Sequence, residues 1–276
     1  ALHLARAGHS VTLFEQKPGH RSAAHISEHL AELVCSNSLR SDELTSGVGL
    51  LKAEMRALDS DFMELADAHR VPAGKALAVD REAFARAMTE RVAGEANITL
   101  VHHQVESLDD AVLAPFYGEG RAVVLAAGPM ASDGISASLA ETLSAKHCYF
   151  YDAIAPIIWT HSLNMDVVFR ASRYGQENGE GEGEGDYLNC PMNRDEYDAF
   201  YAALLEAQKV SAHEFEQEKP FEGCMPIEAL AERGPRTLTF GPLKPVGFVD
   251  PRTGRRPWAI LQLRAENANS ETCNLV

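Results

Sequence analysis

The first fifteen residues constrain the fold of this chain more than any other feature. Residues 1–7 are apolar and rich in alanine, which predicts a helix, and Gly8 ends it. Residues 10–15 then alternate as a strand that stops at Glu15. Helix, tight turn, strand and terminal acid form the second half of a dinucleotide-binding βαβ unit, in which the acid bonds the ribose hydroxyls. Glu15 is therefore a candidate cofactor ligand, although any αβ unit that ends in glutamate would match this half of the motif.

The periodicity of the following residues predicts further alternation of helices and strands. An apolar stripe at steps of three and four over 48–65 is typical of a helix that packs on a core. Asp80 follows a short strand and can cap the next helix. The predicted elements are helices over 25–33, 48–65 and 84–92, and strands over 76–80, 98–102, 104–107 and 122–127.

The apolar strand 122–127 continues directly into Ala127-Gly128. A glycine at the carboxyl end of a strand lets the backbone approach a cofactor closely. The order Asp80-Arg81, helix, strand, Val105, strand, Ala-Gly resembles flavoproteins with two dinucleotide-binding domains. This resemblance implies that Val105 lies against the adenine of FAD and that Ala127 and Gly128 bind the cofactor.

We expect an α/β protein with an incomplete FAD/NAD(P)-binding Rossmann-like domain and an inserted smaller α/β domain. The first domain covers 1–148, the insertion 149–240, and residues 241–276 return towards the first domain. A Gly/Glu alternation over 176–186 predicts a mobile surface loop. Asn193, with Glu196 three residues later, predicts the start of a helix.

Composition excludes several classes of protein. The formal net charge of −15 argues against indiscriminate binding of nucleic acid. No apolar run approaches the roughly 18 residues of a membrane span, and no signal-peptide pattern is present. Five cysteines, an odd number without a CxxC pair, favour a reduced, cytoplasmic protein over a disulfide framework.

One segment departs from the acidic average. Residues 236–264 carry six bases and one acid, which is the pattern of a local contact with RNA. A solvated hairpin tip would explain the same composition. The candidate RNA-binding residues are Lys244, Arg252, Arg255 and Arg256.

Two cysteines are candidate catalytic residues. Cys224 precedes Pro226 and a predicted short helix that ends at Gly234, and a helix N-terminus favours the thiolate. A buried, inert thiol is the competing interpretation. Cys35 lies at the end of an apolar run, among serine and asparagine, where either a cofactor-contacting loop or a packed helix end is possible.

The remaining candidates for chemistry are weaker. Cys148, Cys190 and Cys273 show nothing that separates them from ordinary core thiols. His25 and His29 are spaced to share a helix face, but no cluster supplies a third ligand, so no metal site is predicted.

Over almost its whole length the chain is similar to the TrmFO family of FAD- and folate-dependent tRNA (uracil-5-)-methyltransferases. The resemblance rests on long ungapped blocks: ELVCSNSLRS at 32–41, LKAEMR at 51–56, VPAG at 71–74, AVDR at 78–81, LNCPM at 188–192, FEGCMPIE at 221–228, KPVG at 244–247 and DPRTG at 250–254. It implies methylation of C5 of a T-loop uridine in tRNA. The carbon would come from 5,10-methylenetetrahydrofolate, and the electrons from NADH or NADPH through FAD.

The resemblance also assigns roles to the two cysteines. Cys224 matches the family's nucleophile, whose thiolate adds to C6 and makes C5 nucleophilic. Cys35 matches the second functional cysteine, near the flavin, and as a hypothesis it removes the C5 proton. The glycine-rich turn and the family's long C-terminal stretch are absent from the sequence, so we expect a chain truncated at both ends that is inactive and binds FAD weakly on its own.

Three alternatives stay open at this stage. Another GidA-like enzyme that modifies the wobble uridine of tRNA would not be expected to carry the FEGCMPIE block. A thiol-dependent flavin oxidoreductase would place its cysteines close together in sequence. A non-catalytic RNA-binding relic would bind tRNA without transferring carbon and would be colourless.

Overall fold

The computed structural model describes residues 1–22, 24–128, 131–143, 155–173, 185–208 and 225–276. The chain divides into two compact units. The described part of unit 1 comprises 1–34 and 85–143, and that of unit 2 comprises 35–84, 155–208 and 225–276. The domain boundaries inferred from the sequence, at 148/149 and 240/241, stay a prediction.

The elements are numbered in chain order. The α-helices are α1 (Leu2–Arg6), α2 (Gly47–Ala57), α3 (Asp61–Ala68), α4 (Arg81–Ala93), α5 (Asp133–Thr142), α6 (Arg194–Glu206), α7 (Ile227–Glu232) and α8 (Thr237–Phe240), with 3-10 turns at Ala111–Phe116 and Thr160–Ser162. The strands are β1 (Val11–Glu15), β2 (Ser38–Ser41), β3 (Arg70–Val71), β4 (Ala76–Val79), β5 (Ile98–His102), β6 (Ile157–Trp159), β7 (Phe169–Ala171), β8 (Tyr187–Met192), β9 (Ala259–Ala265) and β10 (Thr272–Leu275). Within the described ranges, no helix combines the length and the apolarity needed to cross a bilayer.

Unit 1 contains the αβ start that the sequence predicts. Helix α1 ends at Gly8, which adopts a φ of +89° that a residue with a side chain rarely takes. Strand β1 then pairs in parallel with β5, with Val11 opposite Ile98 and Glu15 opposite His102. The parallel pair brings the carboxyl ends of both strands to one edge, which is where open α/β sheets bind ligands.

The predicted helix over 25–33 is wrong, because a buried carboxylate organises this segment as a loop. Glu32 accepts hydrogen bonds from the backbone N–H groups of Ile26 at 2.8 Å and Ser27 at 3.0 Å. Ala31 has a φ of +53°, which ends any helical run. The Lys17 ammonium binds both the Glu32 carboxylate, at 3.1 Å, and the carbonyl of His29.

The predicted strands over 104–107 and 122–127 are also absent. Residues 121–128 are all exposed and belong to no strand, and Val124 retains 75% of its accessible surface. A strand requires partners for its backbone groups. In the described part of unit 1 the sheet consists of β1 and β5 alone, so the apolar run 122–127 has no strand beside it.

Unit 2 is built on a five-stranded antiparallel sheet in the order β6-β10-β9-β8-β7. Its central pair, β8 and β9, is the longest, with Tyr187 opposite Arg264 and Met192 opposite Ala259. Helix α6 begins with a complete capping box, in which Asn193 and Glu196 bond each other's backbone N–H groups, as the sequence predicts. The core that joins α6, α7, α8 and β9 is formed by Tyr197, Ala231, Leu238, Leu243 and Ala259.

The apolar stripe over 48–65 does not form one packed helix. The chain breaks between α2 and α3 at Asp59, whose φ is +54°, and Leu51 and Leu58 are 55% and 71% exposed. Helix α2 instead buries Gly49 and Lys52. Lys52 donates to the carbonyls of Ser41 and Val48 at 2.8 and 3.1 Å, so a buried ammonium occupies the face on which the stripe would have packed.

Candidate functional site

A cleft of about 590 Å³ opens in unit 1 at the carboxyl ends of β1 and β5. Its wall includes Gln16, His20 and Arg21 after β1, and Glu106 after β5. The opposite side is formed by residues 131–134 at the start of α5. This is the position at which a Rossmann-like sheet holds a nucleotide.

Glu15 and Val105, two of the predicted cofactor ligands, lie next to this cleft in the chain. Glu15 is half-buried, and its carboxylate accepts the backbone N–H of Lys17 at 2.9 Å. The Glu15 carbonyl accepts the N–H of His103 at 2.9 Å, which ties β1 to the chain that leads to Val105. The carbonyl of Val105 accepts the Ser132 hydroxyl at 3.3 Å. The fold thus brings both positions to one strand edge.

Sequence reasoning missed the N-terminus of α5, which forms part of the cleft. Ser132 caps the helix by accepting the N–H of Ile135 at 3.2 Å. A Cβ at Gly134 would collide with the Glu106 carboxylate and lie 2.7 Å from its carbonyl oxygen, so only glycine fits there. Helix N-termini favour anions because their N–H groups are unpaired. The Ser-Asp pair at 132–133 is an N-cap signature that could have revealed the helix.

Ala127 and Gly128 are exposed and lie outside regular structure. Gly128 has a φ of +70°, which explains a glycine there, but a Cβ would meet nothing within 4 Å. The structure therefore shows the backbone conformation at Gly128 and no close approach to another described group. Their role as cofactor ligands stays a prediction.

Cys35 lies in unit 2 on a segment that a buried polar network holds. The cysteine is exposed, and its carbonyl accepts the N–H of Ala155 at 3.1 Å. Two residues later, Asn37 is fully buried and its amide donates to the carbonyls of Val79 and Ala265, each at 2.9 Å. Of the two interpretations that the sequence leaves open, this is the loop rather than the helix end.

Arg264 is the centre of this network. Its side chain is buried and donates to Asn37 Oδ1 at 2.9 Å, to Ser36 Oγ at 2.7 Å and to Asn274 Oδ1 at 3.2 Å. Burial lowers the pKa of Arg264, and Tyr187 and Glu266 oppose that shift. The segment that carries Cys35 is therefore attached to a buried cation through the very next residue.

The charges of the network do not cancel. Glu266 is buried and forms a bidentate pair with Arg81, at 2.8 and 3.0 Å. Asn274 also donates to Glu266, and it donates to Asn37 Oδ1 at 2.8 Å. Glu266 thus pairs with Arg81 and interacts electrostatically with Arg264, while the oxygens that accept from Arg264 are neutral.

The other described cysteines are core residues. Cys273 is buried and Cys190 packs against the same apolar cluster. Burial, with a contribution from Cys273, raises the pKa of Cys190 to about 11, so this thiol stays protonated at neutral pH. Cys148 and Cys224 lie outside the described residues. The helix predicted after Cys224 is present as α7, with Pro226 as its N-cap.

The four predicted RNA-binding residues are exposed in the turns before β9. Arg252 is already paired, since its guanidinium lies 2.9 Å from the buried carboxylate of Asp250. Arg255 bonds Asp250 through the backbone. Arg264, which belongs to the same basic stretch of sequence, is buried and adds nothing to the surface charge.

No group of three or more His, Cys, Asp or Glu side chains that could hold a metal occurs in the described ranges. The ring of His25 contacts the Ser22 hydroxyl at 2.8 Å through Nδ1. Burial, and next the charge of Lys17, lower the pKa of His25.

These elements define an α/β protein with a Rossmann-like unit and a cleft at its strand ends. The family model described as "Glucose inhibited division protein A" matches residues 1–276, and the chain belongs to that family. It is similar to proteins named methylenetetrahydrofolate–tRNA-(uracil-5-)-methyltransferase TrmFO, which confirms the resemblance inferred from the sequence.

The identities to these relatives are high along the entire chain. The protein from Nitratidesulfovibrio vulgaris strain Hildenborough is 64% identical over 276 residues, which are 100% of this chain and 56% of the relative. The protein from Oleidesulfovibrio alaskensis is 60% identical over 273 residues, 99% of this chain and 59% of the relative. The protein from Lawsonia intracellularis is 54% identical over 276 residues, 100% and 60%. The chain thus spans little more than half the length of the curated relatives it matches.

Proposed function

We propose that the protein to which this chain contributes methylates C5 of a T-loop uridine in tRNA. The carbon comes from 5,10-methylenetetrahydrofolate, and the electrons come from NADH or NADPH through FAD, in the cytoplasm. The observation that carries this proposal is the 64% identity, along all 276 residues, to a protein named as a folate-dependent tRNA (uracil-5-)-methyltransferase.

The two proposed catalytic thiols divide the work on uracil. The thiolate of Cys224 adds to C6, and the electron pair of the C5–C6 bond then attacks the methylene carbon from the folate. Cys35 removes the proton from C5 as the bond between the methylene carbon and the folate nitrogen breaks, which releases tetrahydrofolate and leaves an exocyclic methylene group on C5. Addition of a hydride to this methylene group then expels the Cys224 thiolate from C6 and restores the C5–C6 bond. The exposure of Cys35 supports its part, because a base must reach the ring. The raised pKa of Cys190 argues against that thiol as a substitute.

The cleft of unit 1 fits the adenosine and phosphate end of FAD. The N-terminus of α5 lines this cleft and suits a phosphate, provided that the Glu106 carboxylate beside Gly134 moves away. Glu15 would bond the ribose, Val105 would contact the adenine, and the backbone at Ala127–Gly128 would approach the cofactor. Bound FAD, once reduced by NADH or NADPH, would supply the hydride that completes the methyl group.

Lys244, Arg255 and Arg256 support the binding of tRNA, together with Arg252 to the extent that Asp250 releases it. Their exposure in adjacent turns gives an acidic protein a local surface that phosphates can approach. Phosphate contacts of this kind position an RNA without reading its sequence.

The test uses the complete open reading frame. The purified protein should show a flavin absorption band and should transfer labelled carbon from methylenetetrahydrofolate to a T-loop uridine. Cys224→Ala should abolish transfer, and Cys35→Ala should stall turnover. Cys190→Ala, which changes a thiol in the same chain, should leave turnover intact. Full methylation by Cys35→Ala would rule out its role as the base.

A second candidate is another GidA-like, FAD-dependent modification of tRNA, which the whole-chain match to that family favours. Mapping the modified nucleotide separates the two, because this alternative acts on the wobble uridine. A thiol-dependent flavin oxidoreductase would instead turn over without tRNA. A colourless protein that binds tRNA and transfers no carbon would indicate an RNA-binding relic.

A further inference from the structure

Two exposed aromatic side chains of unit 2 are each covered by an arginine. Trp258 is 41% exposed, and the guanidinium carbon of Arg194 lies 5.1 Å from its ring centroid. Phe240 is 69% exposed, with Arg236 at 5.0 Å. An aromatic ring beneath a guanidinium is a surface on which a nucleobase can stack.

Both aromatic residues are carried by rigid elements. The backbone of Trp258 donates to the carbonyl of Met192 at 2.9 Å, and the next residue, Ala259, is fully buried. Phe240 ends α8, whose Leu238 is buried in the same core as Ala259. The backbone of both residues is therefore anchored before any ligand arrives, which lowers the entropy lost on binding.

The surrounding segment is basic at the surface. Among the bases of 236–264, Arg264 is buried and Arg252 is neutralised by Asp250, the only acid. The exposed cations that remain are Arg236, Lys244, Arg255 and Arg256. The guanidinium of Arg194 lies 3.8 Å from the carboxylate of Asp198. We therefore expect Arg194 to contribute to stacking through its planar face more than to phosphate binding through its charge.

We propose that Trp258 is a stacking platform for an unpaired RNA base, and that the exposed cations of 236–258 bind the phosphates next to it. Phe240 with Arg236 forms a second platform of the same kind. The inference rests on the proposed function, because it takes from that proposal that the partner is RNA. It adds that unit 2 contacts unpaired nucleotides of a folded RNA, because a base inside a duplex offers no free face to a side chain.

The experiment measures binding of an unmodified tRNA transcript to the full-length protein at fixed salt. Trp258→Leu, which keeps an apolar side chain but no ring, should weaken binding by roughly 5- to 150-fold, the range for loss of one stacked base. Trp258→Tyr should restore most of the affinity. The matched control is Trp159→Leu. Trp159 is also in unit 2, is 60% exposed and has the ring of His161 at a centroid distance of 5.7 Å, but it lies on the edge strand β6.

A second probe separates stacking from charge. A loop-free RNA duplex should bind wild type and Trp258→Leu equally, whereas Arg255→Ala with Arg256→Ala should weaken both RNAs and reduce the salt dependence of binding. Equal tRNA affinity of Trp258→Leu and wild type would overturn the inference, as would an equal loss in Trp159→Leu. A protein that binds tRNA through Trp258 but transfers no carbon would overturn only the proposed function.

Discussion

Each of the two compact units buries a cluster of charged side chains, and the clusters differ in their balance of charge. In unit 1, the side chains of Lys17 and Glu32 are 2% and 4% exposed and form one pair at 3.1 Å. In unit 2, Glu266 pairs with Arg81 and interacts electrostatically with Arg264. One cluster is neutral, and the other carries an excess positive charge.

The difference shows two ways in which a buried charge cluster can hold a loop. The neutral pair of unit 1 acts locally, within a span of sixteen residues next to the cleft. Glu32 accepts hydrogen bonds from two backbone N–H groups, and Lys17 donates to a backbone carbonyl. The cluster of unit 2 acts over distance, since Arg264 and Asn274 bond a segment more than 220 residues earlier in the chain. Its excess charge is tolerated because amide and hydroxyl oxygens surround the guanidinium.

The largest expected effect is in unit 1. Lys17→Met leaves the Glu32 carboxylate buried without its cation and should cost about 3–5 kcal/mol of local stability. Hydrogen exchange at the amides of Ile26 and Ser27 measures it, because both donate to Glu32. Arg21→Met is the control, since Arg21 pairs with the exposed Glu28 and such pairs contribute about 0–1 kcal/mol. Equal losses in the two variants would contradict a special role for burial.

In unit 2 the anion should matter more than the central cation. Glu266→Gln removes the carboxylate that pairs with Arg81 and offsets the charge of Arg264, at an expected cost of about 3 kcal/mol. Arg264→Met should cost about 1–2 kcal/mol. This cost is smaller because Asn37 Oδ1 still accepts a hydrogen bond from the Asn274 amide in the variant. Urea unfolding followed by the fluorescence of Trp159 and Trp258, both in unit 2, gives the two values; a larger loss in Arg264→Met would remove the contrast.

Local signals in the sequence were enough for elements whose determinants lie close together. Gly8 ends α1, Asp80 caps α4 through its contact with Ala83 at 3.0 Å, and the capping box of α6 is complete. The helix expected over 25–33 failed because Glu32 folds back on the segment before it. The strand expected over 122–127 failed because periodicity reports apolar character and cannot report whether a neighbouring strand exists.

In the candidate sites, too, local sequence signals found some residues and missed those whose partners are distant in the chain. Glu15 could be selected from the sequence because it is the last residue of its strand, and its role as a cofactor ligand stays a prediction. The buried network that holds the Cys35 segment could not be predicted from the sequence. Asn37 is separated from Arg264 and Asn274 by most of the chain, and only the fold brings them together. Trp258 also escaped notice, since its partner Arg194 belongs to another element.

A smaller effect should follow from the contact that links Arg264 to the Cys35 segment. Ser36→Ala removes the hydroxyl that accepts Arg264 at 2.7 Å and the N–H of Ser38 at 3.2 Å. We expect a loss of about 1 kcal/mol, seen as roughly fivefold faster hydrogen exchange at Ala155, whose N–H bonds the Cys35 carbonyl. Ser38→Ala, which removes only a contact to the N–H of Arg40, should leave that rate unchanged. Equal rates in both variants would show that Arg264 does not hold the segment.

The smallest expected effect is a dependence of stability on pH, which we expect to differ between the two units. Because burial, and next Lys17, lower the pKa of His25 from its ordinary 6.5, the unfolded chain binds a proton more readily than folded unit 1. Unit 1 should therefore lose stability as pH falls below about 6.5, towards the lowered pKa. The carboxylates Glu32 and Glu15 oppose this shift, and Arg21 adds to it.

His25→Gln removes the titrating group while it keeps a side chain that can bond Ser22. Exchange at the Ile26 and Ser27 amides, compared between pH 7.5 and 5.5 after correction for intrinsic rates, should show a smaller loss of protection in the variant than in wild type. Staying above pH 5 keeps the lowered pKa of Glu32 out of the comparison, since its stabilisation disappears only as pH falls through that value. Arginine stays protonated throughout, so Arg264 should add no such slope in unit 2. An identical pH dependence in wild type and variant would mean that the loop takes up a proton on His25 at no cost.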